Sequence, residues 1–151
     1  MTKNKKIKAI IFLSLTIALT LLIFMNSLEN GEESGKKSDF LVNICISFLG
    51  FFGIEIDVYI LGVLIRKLAH FAEYFVLGLT SSLFLTQLPY KKFIYFSPIY
   101  CLIIAFCDEF VMQMITAGRA PRFTDVLIDF SGVLLAFASV CFFRSRKDKI
   151  R

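Results

Sequence analysis

Apolar residues fill this chain in long blocks, not at strand or surface-helix spacing, and the blocks predict helices sized for a bilayer. The first covers residues 7–25 behind a basic front end. It is longer than the apolar run of an ordinary signal peptide, and Asn26-Ser27-Leu28-Glu29 makes a poor cleavage site, so we read a retained helix. Residues 26–39 hold Gly31, Gly35, three serines and the acids Glu29, Glu32, Glu33 and Asp39, and predict a polar loop. A shorter apolar segment over 40–56, with Asn43, Ser47 and Gly50 on one face, predicts an interfacial helix. The second span is 66–88, with a start as early as Val58 allowed. Pro89-Tyr90-Lys91-Lys92 is a tight basic turn. The third span is 93–112, with Pro98 near its start, where a missing backbone donor costs least. After the loop ITAGRAPRF, the fourth covers 124–143, with Thr124 as its N-cap and Asp125 in its first turn. The expected fold is therefore an all-α membrane protein: a single domain over 1–151, built as a four-transmembrane-helix bundle with a short interfacial helix between helices one and two.

The second span departs from the others in carrying Arg66, Lys67, His70 and Glu73 at its front end. At about 100° per residue, Arg66, His70 and Glu73 share about 60° of arc, and Lys67 lies beside His70. Each ionisable group costs roughly 2.5–3.5 kcal/mol in the middle of a membrane helix, which points to partners or a function.

Composition supports the membrane class: 57% of the 151 residues are hydrophobic, against about 45–50% in a soluble domain. The 18 phenylalanines read as lipid-facing bulk. The four cysteines lack a CxxC spacing and read as packing residues, not a disulfide framework. A net charge of +5 is concentrated in Lys3, Lys5, Lys6 and Lys8, in Lys91 and Lys92, and in Arg144, Arg146, Lys147, Lys149 and Arg151. That distribution is a topology signal, not a nucleic-acid surface. With four spans, all three basic regions share one side, so the chain is expected to be a multi-pass cell-membrane protein with both termini cytoplasmic.

This topology brings the remaining ionisable residues to one depth near the outer surface. Helix two contributes Lys67, His70 and Glu73, helix three ends with Asp108, Glu109 and Gln113, and helix four begins with Asp125 and Asp129. Arg119 and Arg122 lie in the loop between. Lys67, His70, Phe71, Glu73, Tyr74, Leu77 and Gly78, then Asp108-Glu109 with Gln113, Gly118-Arg119, and Asp125-Val126 with Gly132, together resemble the VanZ-like membrane protein family over roughly residues 67–132. Asp129 stands where the family pattern has Asn, and Ala136 where it has a second Gly. The resemblance implies a link to low-level teicoplanin resistance and points to Lys67, His70, Glu73, Asp108, Glu109, Gln113, Arg119 and Asp125. It brings no defined reaction; an acyl-phosphate transferase label carried by some members finds no support in these residues.

Two readings of the site stay open. In one, Lys67, Gln113, Arg119, Arg122, Asp125 and Asp129 bind an anionic lipid or a lipid-linked cell-wall precursor. In the other, His70, Glu73, Asp108 and Glu109 do acid–base chemistry on such a substrate. A polar network that only clamps three helix ends is the bland alternative. Metal chemistry is weighed and not adopted, because there is one histidine and neither HExxH nor DxD spacing. No cofactor is named by these residues, and the lipid bilayer is the expected surrounding partner.

Overall fold

A computed structural model of the chain describes residues 2–149, side chains excepted at 32–34, 37 and 147–149. Arg151 therefore lies outside the described residues, as do the side chains of Glu32, Glu33, Lys147 and Lys149. Five helices follow one another: α1 (Lys3–Ser27), α2 (Gly31–Phe51), α3 (Val58–Thr86), α4 (Phe96–Cys107) and α5 (Phe123–Lys149). A 3-10 turn over Lys91–Tyr95 leads into α4, and a π turn over Asp108–Met112 leads out of it.

Among the described residues, three helical stretches are long and apolar enough to cross a membrane: Lys3–Ser27, Lys91–Met112 and Phe123–Arg146. The expected count of four is corrected here, because α3 is not among them. At 29 residues α3 is the longest helix, about 43 Å at the usual rise. Its composition differs because it is the axis of the bundle: it packs chiefly on α5 and then on α1, and also touches α2 and α4. Polar side chains that would be costly against lipid face other helices instead. Ser81 and Ser82 each meet Ser97 of α4, at 2.6 and 2.9 Å, well inside the bundle.

A second correction concerns residues 26–39. The expected loop is mostly helical, since α2 begins at Gly31, and only its part Ser38–Phe51 is a short apolar helix. Gly31 also lies close against a neighbouring backbone. Its amide donates to the Ala117 carbonyl at 3.1 Å, and a Cβ there would meet the Gly118 carbonyl at 2.6 Å. Gly118 itself has φ +76°, a left-handed conformation open to glycine without strain.

A side-chain cap sets the start of α3. Asp57 caps α3, its Oδ1 accepting from the amides of Tyr59 at 2.8 Å and Ile60 at 3.1 Å. α5 begins at Phe123, so Thr124 sits inside the first turn instead of capping it; Asp125 is in that turn as expected. The core joins Ile23, Tyr74, Leu77, Cys101, Ala105, Val126 and Val133. All four cysteines are free, and Cys101 alone among them is fully buried. The outer faces carry large exposed apolar side chains, Ile10, Leu21, Phe48, Ile103, Leu135 and Phe143 among them, as a lipid environment requires.

Lys5, Lys8, Gln87 and Arg144 line one cavity, so the front of α1, the end of α3 and the end of α5 share one end of the bundle. The start of α3, the start of α5 and the segment 113–122 gather at the other. Close contact between α3 and α5 holds this arrangement. A Cβ on Gly132 would collide with the Phe71 carbonyl, and one on Gly78 would come within 3.0 Å of the Val133 Cα. Gly132→Val should therefore force the two helices apart and destabilise the protein by about 1–3 kcal/mol in detergent melting. Gly35→Ala, in α2 with no atom near its would-be Cβ, should instead be neutral or raise stability by up to about 1 kcal/mol.

Candidate functional site

The segment 113–122 is tied down before any site residue is placed on it. Thr116 donates to the Ser27 carbonyl at 3.0 Å, and Arg119 Nη2 donates to the Asn26 carbonyl at 3.0 Å. Both acceptors sit at the end of α1, so the segment closes over the α1–α2 junction. Partial burial pushes the Arg119 pKa down from its ordinary value, with Asp108 pulling it back up.

Just before this segment, the chain widens. The Gln113 amide donates to the Asp108 carbonyl at 3.0 Å, an i to i+5 bond that accommodates one extra residue in the turn. Neighbouring residues on an ordinary helix point about 100° apart, so one of an adjacent pair usually leaves the core. Here both Asp108 and Glu109 are fully buried.

All ten site candidates lie at this end of the bundle, in three environments. The first is a pocket of about 620 Å³ between α2, α3, the 113–122 segment and α5. Lys67, His70, Gln113, Arg119, Arg122 and Asp125 line it, joined by Arg66 and Asp39. Lys67 Nζ meets Asp125 Oδ1 at 2.6 Å across the pocket, with both side chains about a third exposed.

In the second environment are acids already engaged by neutral donors. Glu109 accepts from Gln113 Nε2 through one carboxylate oxygen and from the Arg122 backbone amide through the other, which ties the π turn to the entry of α5. Glu73 accepts from Asn26 Nδ2 at 2.9 Å, facing α1 and away from the pocket. The third environment is buried behind the pocket. Asp108 and Asp129 are both fully buried, and none of their carboxylate oxygens has a hydrogen-bond donor. His70 Nδ1 lies 3.8 Å from Asp129 Oδ1 and is likewise without a hydrogen bond, as is the Tyr74 hydroxyl.

His70, Glu73, Asp108 and Glu109 are thus divided: His70 and Asp108 share the buried cluster with Asp129, while Glu73 and Glu109 hold helices together. Sequence reasoning missed Asn26, whose role depends on α1 lying against α3, and Asp39, assigned to a loop that is in fact helix. Tyr74 was within reach of that reasoning, since it is one turn beyond His70 and adjacent to Glu73.

A protein-family model described as VanZ/LLP1 matches residues 12–144. No curated protein and no solved structure matches the chain.

The two engaged acids should respond differently from the pocket pair. Glu109→Gln trades an acceptor for an amide facing the Gln113 amide or the Arg122 N–H, and should cost about 1–3 kcal/mol of thermal stability. Asp125→Asn, which weakens a partly exposed pair, should cost less than about 1 kcal/mol in the same measurement.

Proposed function

The chain belongs to the VanZ/LLP1 family, and from that premise we propose that this membrane protein binds the anionic head group of a cell-envelope molecule in the pocket beside α3. The observation that carries the reading is the lining: Arg66, Lys67, Arg119 and Arg122 converge there, against Asp39 and Asp125. Guanidinium groups match phosphate and carboxylate in fork geometry, and a pocket with excess cation favours such a ligand over a neutral one. A lipid-linked cell-wall precursor and an anionic phospholipid both present that chemistry. Binding a precursor would connect the pocket to reduced teicoplanin susceptibility.

Orientation follows from charge in the same reading. The lysines at the front of α1, the Lys91–Lys92 turn and Arg144 with Arg146 lie at the end opposite the pocket. By the preference of basic residues for the cytoplasm, both termini are inside and the pocket faces the outer leaflet. A second reading, a membrane-embedded enzyme acting on the same class of ligand, is favoured by one observation: His70 lines the pocket with the buried Asp129 carboxylate 3.8 Å behind it.

The test is Arg66→Gln combined with Arg122→Gln, assayed by native mass spectrometry of protein purified in its own lipids and by binding to phosphatidylglycerol nanodiscs. At about 1 kcal/mol per cation, the double variant should retain anionic ligand at least tenfold less well, with an unchanged melting temperature. Teicoplanin susceptibility of cells expressing it should rise toward that of cells lacking the protein. Retention equal to wild type would exclude the pocket as the binding site.

A further inference from the structure

We propose that His70, Asp108 and Asp129 form a binding site for a divalent transition-metal cation, zinc or manganese, at the base of the pocket. One ligand atom from each residue lies within 4.8 Å of the others. The three come from α3, from the π turn after α4 and from α5, so three separate elements each supply one ligand. An imidazole with two carboxylates is a donor set that both ions accept.

The geometry is close to what an ion needs. Two ligands held at about 2.0–2.2 Å from one ion, at tetrahedral angles, sit about 3.3–3.6 Å apart. The 3.8 Å between His70 Nδ1 and Asp129 Oδ1 is slightly wider than that range. The widest of the three separations is at most 4.8 Å, so up to roughly 1.5 Å of approach is needed, which a rotation of the Asp108 side chain would supply.

Charge supplies the independent argument. Asp108 and Asp129 are fully buried, and all four of their carboxylate oxygens lack a donor. Buried carboxylates are normally paired, hydrogen-bonded or bound to a metal. Neither nearby cation bonds these carboxylates directly: Lys67 pairs with Asp125, and Arg119, which acts on Asp108 only through space, donates to the Asn26 carbonyl. A divalent ion would balance two carboxylates, and the neutral imidazole adds no charge. Ser27, Tyr74 and Gln113 are the polar neighbours of Asp108, available to steady it once it ligates. His70 lines the pocket, so an ion has a route in and coordination positions open to water or an anion.

The site goes beyond the anion-binding reading and survives its failure. Full-length protein in nanodiscs, stripped with chelator and dialysed, is titrated with Zn²⁺ or Mn²⁺ alone and followed by elemental analysis. About one equivalent should be retained, and His70→Ala and Asp129→Asn should each weaken binding at least tenfold, while Cys107→Ala leaves it unchanged. The Asn substitution keeps side-chain size, so it serves if His70→Ala does not fold. Pulsed EPR of bound Mn²⁺ should show imidazole nitrogen coupling that is absent in His70→Gln. No stoichiometric uptake, or uptake that is indifferent to His70 and Asp129, overturns the site; buried protons then balance the carboxylates. Metal retained in the Arg66→Gln, Arg122→Gln double variant keeps this result distinct from loss of the anion pocket.

Discussion

Three carboxylates, those of Asp108, Glu109 and Asp129, have no exposure to solvent or lipid at one end of a helical bundle. Removing a carboxylate from water costs several kcal/mol even after the surroundings relax, so the structure around each must compensate. For Glu109 the compensation is visible: two N–H donors, one from a side chain and one from the backbone, occupy its two oxygens. That bond pattern determines much else. It requires the π turn, which turns two adjacent acids inward together, and it anchors the chain ahead of α5 so that Asp125 and Asp129 start at a defined height. Around it, Arg119 and Thr116 fasten the intervening segment to the end of α1. The end of the bundle that carries the pocket is thus held by polar contacts between elements far apart in the chain.

Such an arrangement depends on very close helices. α3 and α5 approach until the backbone of one touches the Gly132 position of the other, and this brings Lys67 to Asp125 and His70 to Asp129. Each pair spans nearly the same number of residues between the two helices. A single parallel register therefore sets both contacts. Where glycine leaves room for a neighbouring backbone, van der Waals contact replaces the hydrophobic driving force that lipid cannot provide. The polar end is then positioned by an apolar interface.

Much of this was legible in the chain. Block hydropathy located α1, the α4 segment and α5, because long apolar runs in a membrane protein have few alternatives to helix. The ionisable residues of three stretches pointed to one end of a bundle, and the structure assembles them there. The acids and glycines of 26–39 were misleading: local composition favours a loop, whereas α2 begins at Gly31 because that amide finds the Ala117 carbonyl, a contact between residues far apart in the chain. The division of the acids was hidden for a similar reason. Nothing local distinguishes Glu73, held by Asn26 of α1, from Asp108, whose polar neighbours Ser27, Tyr74 and Gln113 stop short of a hydrogen bond. Which acid is satisfied depends on tertiary neighbours, and helical periodicity does not list them.

The miscounted span and the site have one cause. α3 falls outside the group of membrane-capable helices because polar residues interrupt its apolar run: Arg66, Lys67, His70 and Glu73 near one end, Thr80, Ser81 and Ser82 toward the other. Each of these would be unfavourable against lipid. In the bundle Lys67 meets a carboxylate of α5, Glu73 an amide of α1, and Ser81 and Ser82 a hydroxyl of α4, while Thr80 bonds back to its own helix. A helix with most of its polar residues turned toward its neighbours can carry chemistry on that inner face, while Leu64, Leu68 and Val76 remain exposed on the other. That is why the most polar of the long helices is also the one that α1, α2, α4 and α5 all pack against, and why the pocket opens beside it.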